Sequence, residues 1–252
     1  MMNRIRVYRA LVCAIAPLSL AASAGAEDSG LAIERGGLMK HVEFLASAEM
    51  RGRAMASPEE KKAAEYIARE LSEAGLAAPK GWESPIQVIK LDEQRTAHNV
   101  VFALPGSHPD RSDEWIVLGA HLDHLGVRNG KVYHGADDNA SGVAGIIEIA
   151  KAMRKRERKL DRSLLFCFFT GEERGLVGSR HLMKHLPIPK QKIIVMLNAD
   201  MIGRDDARTI HIVGTQTAES LKGLVEAANK HVGLKMVYDH EEWTFESDHR
   251  VF

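Results

Sequence analysis

Cysteine, aromatic residues and net charge are all scarce in this sequence of 252 residues. Only Cys13 and Cys167 occur, too few for the disulfide framework of a small secreted domain. Lys plus Arg and Asp plus Glu both number 34, so no global basic field is available to hold nucleic acid. Gly 21 and Pro 8 are too few for a collagen or a low-complexity chain. No apolar run reaches the ~20 residues that span a bilayer as a helix, which excludes a polytopic membrane protein. What is present suits a globular fold. Hydrophobic residues make up 45% and charged residues 27%, in a chain long enough to bury a sizeable core.

The first residues read as a leader. Arg4, Arg6 and Arg9 stand without an acid, Ala10 to Ala22 is almost wholly apolar, and Ala24-Gly25-Ala26 follows. That order of charged, apolar and small residues is a secretory signal peptide, so residues 1–26 are expected to be removed after Ala26. The protein is then secreted or periplasmic, with no stable membrane association. Residues 27–252 are expected to form one domain. Cys13 leaves with the leader, and Cys167, inside Leu164-Leu165-Phe166-Cys167-Phe168-Phe169, reads as a small buried hydrophobe.

Helices and strands alternate along the rest. Leu38 to Met50 has helical spacing. Ser57-Pro58-Glu59-Glu60 predicts a helix start, with Ser57 as cap, Pro58 at the first position and Glu60 closing a capping box. Gly75 stops that helix. Strands are predicted at Ile86–Leu91, Val100–Leu104, Trp115–Gly119, Leu164–Phe169, Ile193–Leu197 and Ile210–Val213. Helices are predicted after Asn139, over Leu176–His185, and over Ala218–His231, where Leu221, Leu224, Val225 and Ala228 share a face. Continuous apolar strands between helices predict an α/β fold with a mostly parallel, mixed central sheet flanked by helices.

Five motifs stand at or near predicted strand ends, where open α/β sheets bind ligands. They are Ala120-His121-Leu122-Asp123, Gly135-Ala136-Asp137-Asp138-Asn139, Thr170-Gly171-Glu172-Glu173, Asn198-Ala199-Asp200 and Ser247-Asp248-His249. Each alone has a structural explanation. Acids favour helix starts, Asp137-Asp138 could cap a helix, and a single histidine at a strand end is commonly a hydrogen-bonded structural residue. Together, imidazoles and carboxylates form a donor set suited to a divalent ion such as zinc.

Two stretches carry a resemblance. Gly119-Ala120-His121-Leu122-Asp123-His124-Leu125-Gly126 and His134-Gly135-Ala136-Asp137-Asp138-Asn139-Ala140-Ser141-Gly142 resemble the M28 zinc aminopeptidases of the bacterial leucyl-aminopeptidase-like group. Val42–Ser47, Arg51-Gly52-Arg53 and Ala64–Ala68 are similar to that family's opening helices. The resemblance implies a zinc-exopeptidase architecture and two zinc ions. His121 and Asp200 would hold one ion, Glu173 and His249 the other, and Asp138 would bridge them. Glu172 would be the general base acting on a metal-activated water, and Asp123 would orient His121 from behind. A cis peptide is implied at Asp138–Asn139. The substrates would be peptides with a free N-terminus, cleaved one residue at a time.

Other histidines receive a structural reading. His41, His98, His108, His181, His185, His211 and His231 stand outside paired motifs, and His124, His134 and His240 are expected near the site but not as ligands. Asp137 and Asp248 are expected to brace the loops. Because family members continue beyond the residue matching His249, the chain is read as truncated at its C-terminus. Two other readings stay open: a different amide hydrolase of the same architecture, and a non-catalytic binding protein that keeps the fold. A single-zinc glutaminyl cyclase fits less well, because all five presumed ligands are present.

Overall fold

A computed structural model describes residues 33–205, 208–217, 219–238 and 240–252. The leader expected at 1–26 lies outside them. None of the helices among the described residues is long and apolar enough to cross a membrane.

The chain opens with α1 (Arg35–Leu45) and α2 (Pro58–Glu73), then β1 (Ile86–Lys90), β2 (Thr96–Leu104) and β3 (Trp115–His121). A small hairpin of β4 (Gly126–Arg128) and β5 (Lys131–Tyr133) precedes α3 (Gly142–Lys155) and β6 (Ser163–Phe169). Then come α4 (Val177–Lys184), β7 (Ile193–Asn198), β8 (Thr209–His211), α5 (Glu219–Val232) and β9 (Lys235–Val237). The start of α2 keeps half of the expected capping box. Ser57 Oγ accepts the Glu60 amide at 3.1 Å. The return contact from Glu60 is not made. Its carboxylate is on the buried face and instead accepts the His98 amide at 2.8 Å and meets His98 Nδ1 at 2.9 Å. A buried amide left unpaired costs about 1–3 kcal/mol, so the His98 amide claims the carboxylate. His98 is therefore paired rather than isolated.

Five strands form one mixed sheet in the order β1-β2-β6-β3-β7. β6 and β7 each run parallel to β3, while β1–β2 and β2–β6 are antiparallel. The apolar run of β6 is buried on both faces along its whole length. Leu164, Phe166 and Phe168 face α2 and α3, packing with Ala63, Ile67, Phe102 and Ile147. Leu165, Cys167 and Phe169 face the other way, toward α4, with Val101, Val117 and Leu182. Cys167 is fully buried, and that burial pushes its thiol well above the usual range, as expected of an inert core residue.

The hairpin β4–β5 was not predicted. Its turn residues Asn129 and Gly130 have φ 51° and 75°, the left-handed pair that Asn-Gly supplies in a two-residue hairpin turn. That dipeptide was its one available signal. In the small parallel pair β8–β9, β8 overlaps the strand expected at Ile210–Val213, whereas β9 has three residues, too short for a period to register.

Candidate metal centre

The three parallel strands β3, β6 and β7 deliver their C-terminal ends to one edge of the sheet. β3 ends at His121, β6 runs into Thr170-Gly171-Glu172-Glu173, and β7 runs into Asn198-Ala199-Asp200. The fourth segment, 136–141, is tied across to the end of β7. Asn139 Nδ2 donates to the Ala199 carbonyl at 2.9 Å, and Asn139 Oδ1 accepts the Met201 amide at 3.3 Å. Asp137 Oδ1 accepts the Gly203 amide at 2.9 Å, the bracing role expected of it. The Asp138–Asn139 peptide is cis, as the resemblance implied. Gly135 precedes this turn with φ 62°, and a Cβ there would collide with the Asp138 carbonyl oxygen and the His124 ring.

Two donor groups result. In the first, His121 Nε2 lies 3.2 Å from Asp138 Oδ1 and 3.3 Å from Asp200 Oδ1. In the second, His124 Nδ1 lies 2.8 Å from Glu173 Oε1 and 3.6 Å from Asp138 Oδ2. Within each group the donor atoms all fall within 4.8 Å of one another. Asp138 presents one oxygen to each group. The sequence reading of His121, Asp138, Glu173 and Asp200 as neighbours is thus matched in space.

Two assignments come out differently. His249 does not join the second group: its Nε2 lies 2.7 Å from the Thr244 carbonyl oxygen, although its charge reaches Asp200. His124 stands in the group instead. Its address depends on a loop return, in which its amide donates to the Arg53 carbonyl at 3.3 Å, and no local spacing encodes that. Asp123 sits behind His121 as expected, but by a different contact. Its backbone carbonyl is 3.1 Å from His121 Nδ1, while its carboxylate is 3.8 Å away and accepts the Glu172 amide at 3.2 Å. The carboxylate therefore positions the candidate base, and the main chain orients the imidazole.

Buried, unpaired atoms test whether these residues suit a metal. His124 Nδ1 and Glu173 Oε1 are both buried and neither makes a hydrogen bond, despite standing 2.8 Å apart. Buried polar atoms are almost always paired, and a nitrogen and an oxygen donor left this close together suit a shared cation. Nitrogen and carboxylate oxygen donors fit zinc. The remaining oxygen of Asp200 is held by Ser247, whose Oγ donates to Oδ2 at 2.7 Å and accepts from Asn198 Nδ2 at 2.8 Å, the outer support a ligating carboxylate requires.

The electrostatics are those of crowded acids. Burial pushes the Glu172 carboxyl up to about 8, and the charges of Asp248, Asp200 and Asp123 add to that against His121. Burial pushes Asp248 up to about 7. Burial also pushes Asp200 up, but the hydrogen bond and charge of His121 prevail and hold it below the ordinary range. His121 is the counterpart: burial disfavours its charge, yet Asp123, Asp138 and Asp200 raise it well above an ordinary imidazole.

A sheet whose parallel strands carry two adjoining His/carboxylate groups defines an α/β metallohydrolase-type site. The sequence profile described as peptidase family M28 matches residues 99–252, and the chain belongs to that family. Leucine aminopeptidase 1 of Trichophyton equinum is 32% identical over 123 residues, 46% of this chain. The match spans only 32% of that relative's length. Among solved structures, the aminopeptidase of Aneurinibacillus sp. strain AM-1 superposes with a TM-score of 0.67 at 18% identity, covering 89% of this chain and 84% of that one. The glutaminyl cyclase of Porphyromonas gingivalis reaches 0.69 at 16% identity, covering 86% and 78%. The two neighbours establish the fold, which carries more than one chemistry.

Proposed function

We propose that this protein is a secreted or periplasmic zinc aminopeptidase that removes N-terminal residues from peptides. The observation that carries the reading is the division of Asp138 between two donor groups, with Glu172 next in sequence to the donor Glu173. One ion would be held by His121, Asp138 and Asp200. The other would be held by Asp138 and Glu173 with a histidine, either His124 or His249. When bound, zinc supplies Lewis acidity, polarising a carbonyl and making water more acidic. Glu172 is the general base. It takes a proton from the attacking water as the new C–O bond forms, and gives it to the amine nitrogen as the C–N bond breaks. Asp123 fixes Glu172 through its amide. The secretory leader pattern of residues 1–26 supports the location, and the leucine aminopeptidase relatives support the substrate class.

The test pairs elemental analysis of the purified protein with hydrolysis of a leucine anilide, with its amine free or acetylated. About two zinc ions per chain, with chelator-sensitive cleavage of the free-amine substrate only, is the expected result. Equal cleavage of the acetylated substrate would make it a different amide hydrolase. Cyclisation of an N-terminal glutamine without anilide cleavage would favour the chemistry named for the Porphyromonas neighbour. Bound zinc with no turnover of any of these would favour a binding protein.

A further inference from the structure

The side chain that ties the donor loops together is not itself a donor. Arg53 is fully buried and heads the large side chains in that state. It emerges from a tight turn in which Arg51, Gly52 and Arg53 all have left-handed φ, at 43°, 72° and 37°. A Cβ on Gly52 would run into the Tyr133 carbonyl oxygen, so glycine lets the turn press against hairpin β4–β5. Left-handed backbone at two arginines persists only where the surroundings hold it. Here the guanidinium supplies that hold. Nε donates to the Leu122 carbonyl at 2.8 Å, Nη1 to those of Leu45 at 2.9 Å and His134 at 2.7 Å, and Nη2 to that of Gly135 at 2.7 Å. The Arg53 carbonyl accepts the His124 amide. One residue thereby grips both sides of Asp123 and the approach to Asp138.

We propose that Arg53 is the positioning residue of the metal centre: its fork fixes the 121–124 and 134–138 loops in donor geometry before an ion binds, and its charge offsets the carboxylates gathered there. The proposal rests on the metal-centre reading above. Lysine cannot replace this role, because five carbonyls in different directions, with that of Asp138 at 3.5 Å the longest reach, need the planar, multi-donor guanidinium. Without it the Leu45, Leu122 and His134 carbonyls lose that partner, Gly135 keeps only the Ala140 amide at 3.2 Å, and the facing carboxylates repel one another in the ion-free state.

Zinc affinity by chelator competition, on wild type, Arg53→Lys and Arg53→Met, tests this. Thermal unfolding is read with and without zinc. The expected result is zinc binding weakened by roughly 10–100-fold in Arg53→Lys, the range for residues that orient ligands, and further in Arg53→Met. The rise in Tm on adding zinc shrinks accordingly. A merely structural arginine would lower both melting temperatures equally and leave zinc affinity unchanged, which overturns the proposal. Should neither variant fold, hydrogen exchange on zinc-stripped wild type decides. Protected His124 and Ala140 amides are expected, and exchange at free-chain rates overturns the idea. Failure of the metal-centre reading is visible separately, as wild type that takes up no zinc.

Discussion

Residues 33–205 and residues 208–252 are built on different terms. The first part holds the five-stranded sheet and nearly all of the fully buried apolar side chains, with Phe102, Phe166, Phe168 and Phe169 at its centre. The second exposes Leu224, Val232 and Phe245 at 57%, 57% and 60%. Its buried members among the described residues are Thr244, Ser247 and Asp248. The donor groups follow the same division. Every residue of both groups comes from the first part, at the ends of packed strands or in the loops tied to them, whereas His249 rides on a short turn in the second. Sites on strands packed on both faces are held more closely than sites on peripheral turns. The second part supports the site from outside, through Ser247 on Asp200 and Phe252 against Phe169.

The largest effect expected is at Glu172, which belongs to the first part. Glu172→Gln should lower leucine anilide hydrolysis by about 10²–10⁴-fold, the usual contribution of a positioned base. Zinc content should stay unchanged. A near wild-type rate would remove Glu172 from the chemistry and leave the site without an identified base.

Core packing gives the next contrast. Phe166→Ala should cost about 3–5 kcal/mol in urea unfolding, since Phe166 is fully buried in the sheet. Leu224→Ala on α5 should stay within about 0.5 kcal/mol. Comparable losses at the two positions would show that the halves are equally tight and would break the comparison.

The two histidines sharpen it further. Zinc content after His124→Ala and after His249→Ala distinguishes the two assignments of the second ion. Geometry predicts that His124→Ala loses one zinc, a fall in affinity greater than the roughly 10–100-fold typical of outer residues. His249→Ala should keep both. The reverse outcome would give His249 the ligand role implied by its motif and leave His124 to steady Glu173.

That divergence shows where sequence reasoning stopped. The sheet was legible because its parallel strands carry unbroken apolar runs, buried on both faces along β6 and kept even at the half-exposed edge strand β7. Helix α2 was legible because Ser57 and Pro58 mark its start, but Glu60 was misassigned, since its partner His98 is 38 residues away. His121, Glu173 and Asp200 could be grouped because each follows or adjoins a strand end, and Asp138 because its motif opens a helix and carries the family resemblance. His124 could not, because nothing within its own motif says which way its ring turns. Arg53 was visible only as part of Arg51-Gly52-Arg53, and its acceptors are backbone carbonyls, which carry no sequence signature.

The smallest expected effect lies at the seam of α1, α2 and α3. Glu70 on α2 meets Lys40 of α1 at 2.8 Å and Lys151 of α3 at 2.8 Å. Burial pushes its carboxyl up, but the hydrogen bonds and charges of the two lysines prevail and hold it down at about 2. His41, Tyr66 and Glu148 complete the cluster, with His41 between Tyr66 at 2.6 Å and Glu148 at 2.9 Å. A carboxylate with a depressed folded pKa stabilises the fold above its unfolded value, and that contribution fades as pH falls toward the folded value. For Glu70 the window runs from about 4.5 down to about 2. Lys40 is largely exposed, so solvent screening keeps the contribution well below what the pKa shift alone implies. His41 titrates in a different window. Its pKa is lowered, chiefly by burial, so its loss of stability begins as pH drops below 6.5. Unfolding of metal-free protein from pH 7 to pH 2, wild type against Glu70→Gln, separates the two. The variant should lose the slope below about pH 4.5 and keep the one that starts near pH 6.5. Identical slopes in both proteins would mean that the two lysines do not stabilise the Glu70 carboxylate, and that the helices are joined by apolar packing and the His41 contacts instead.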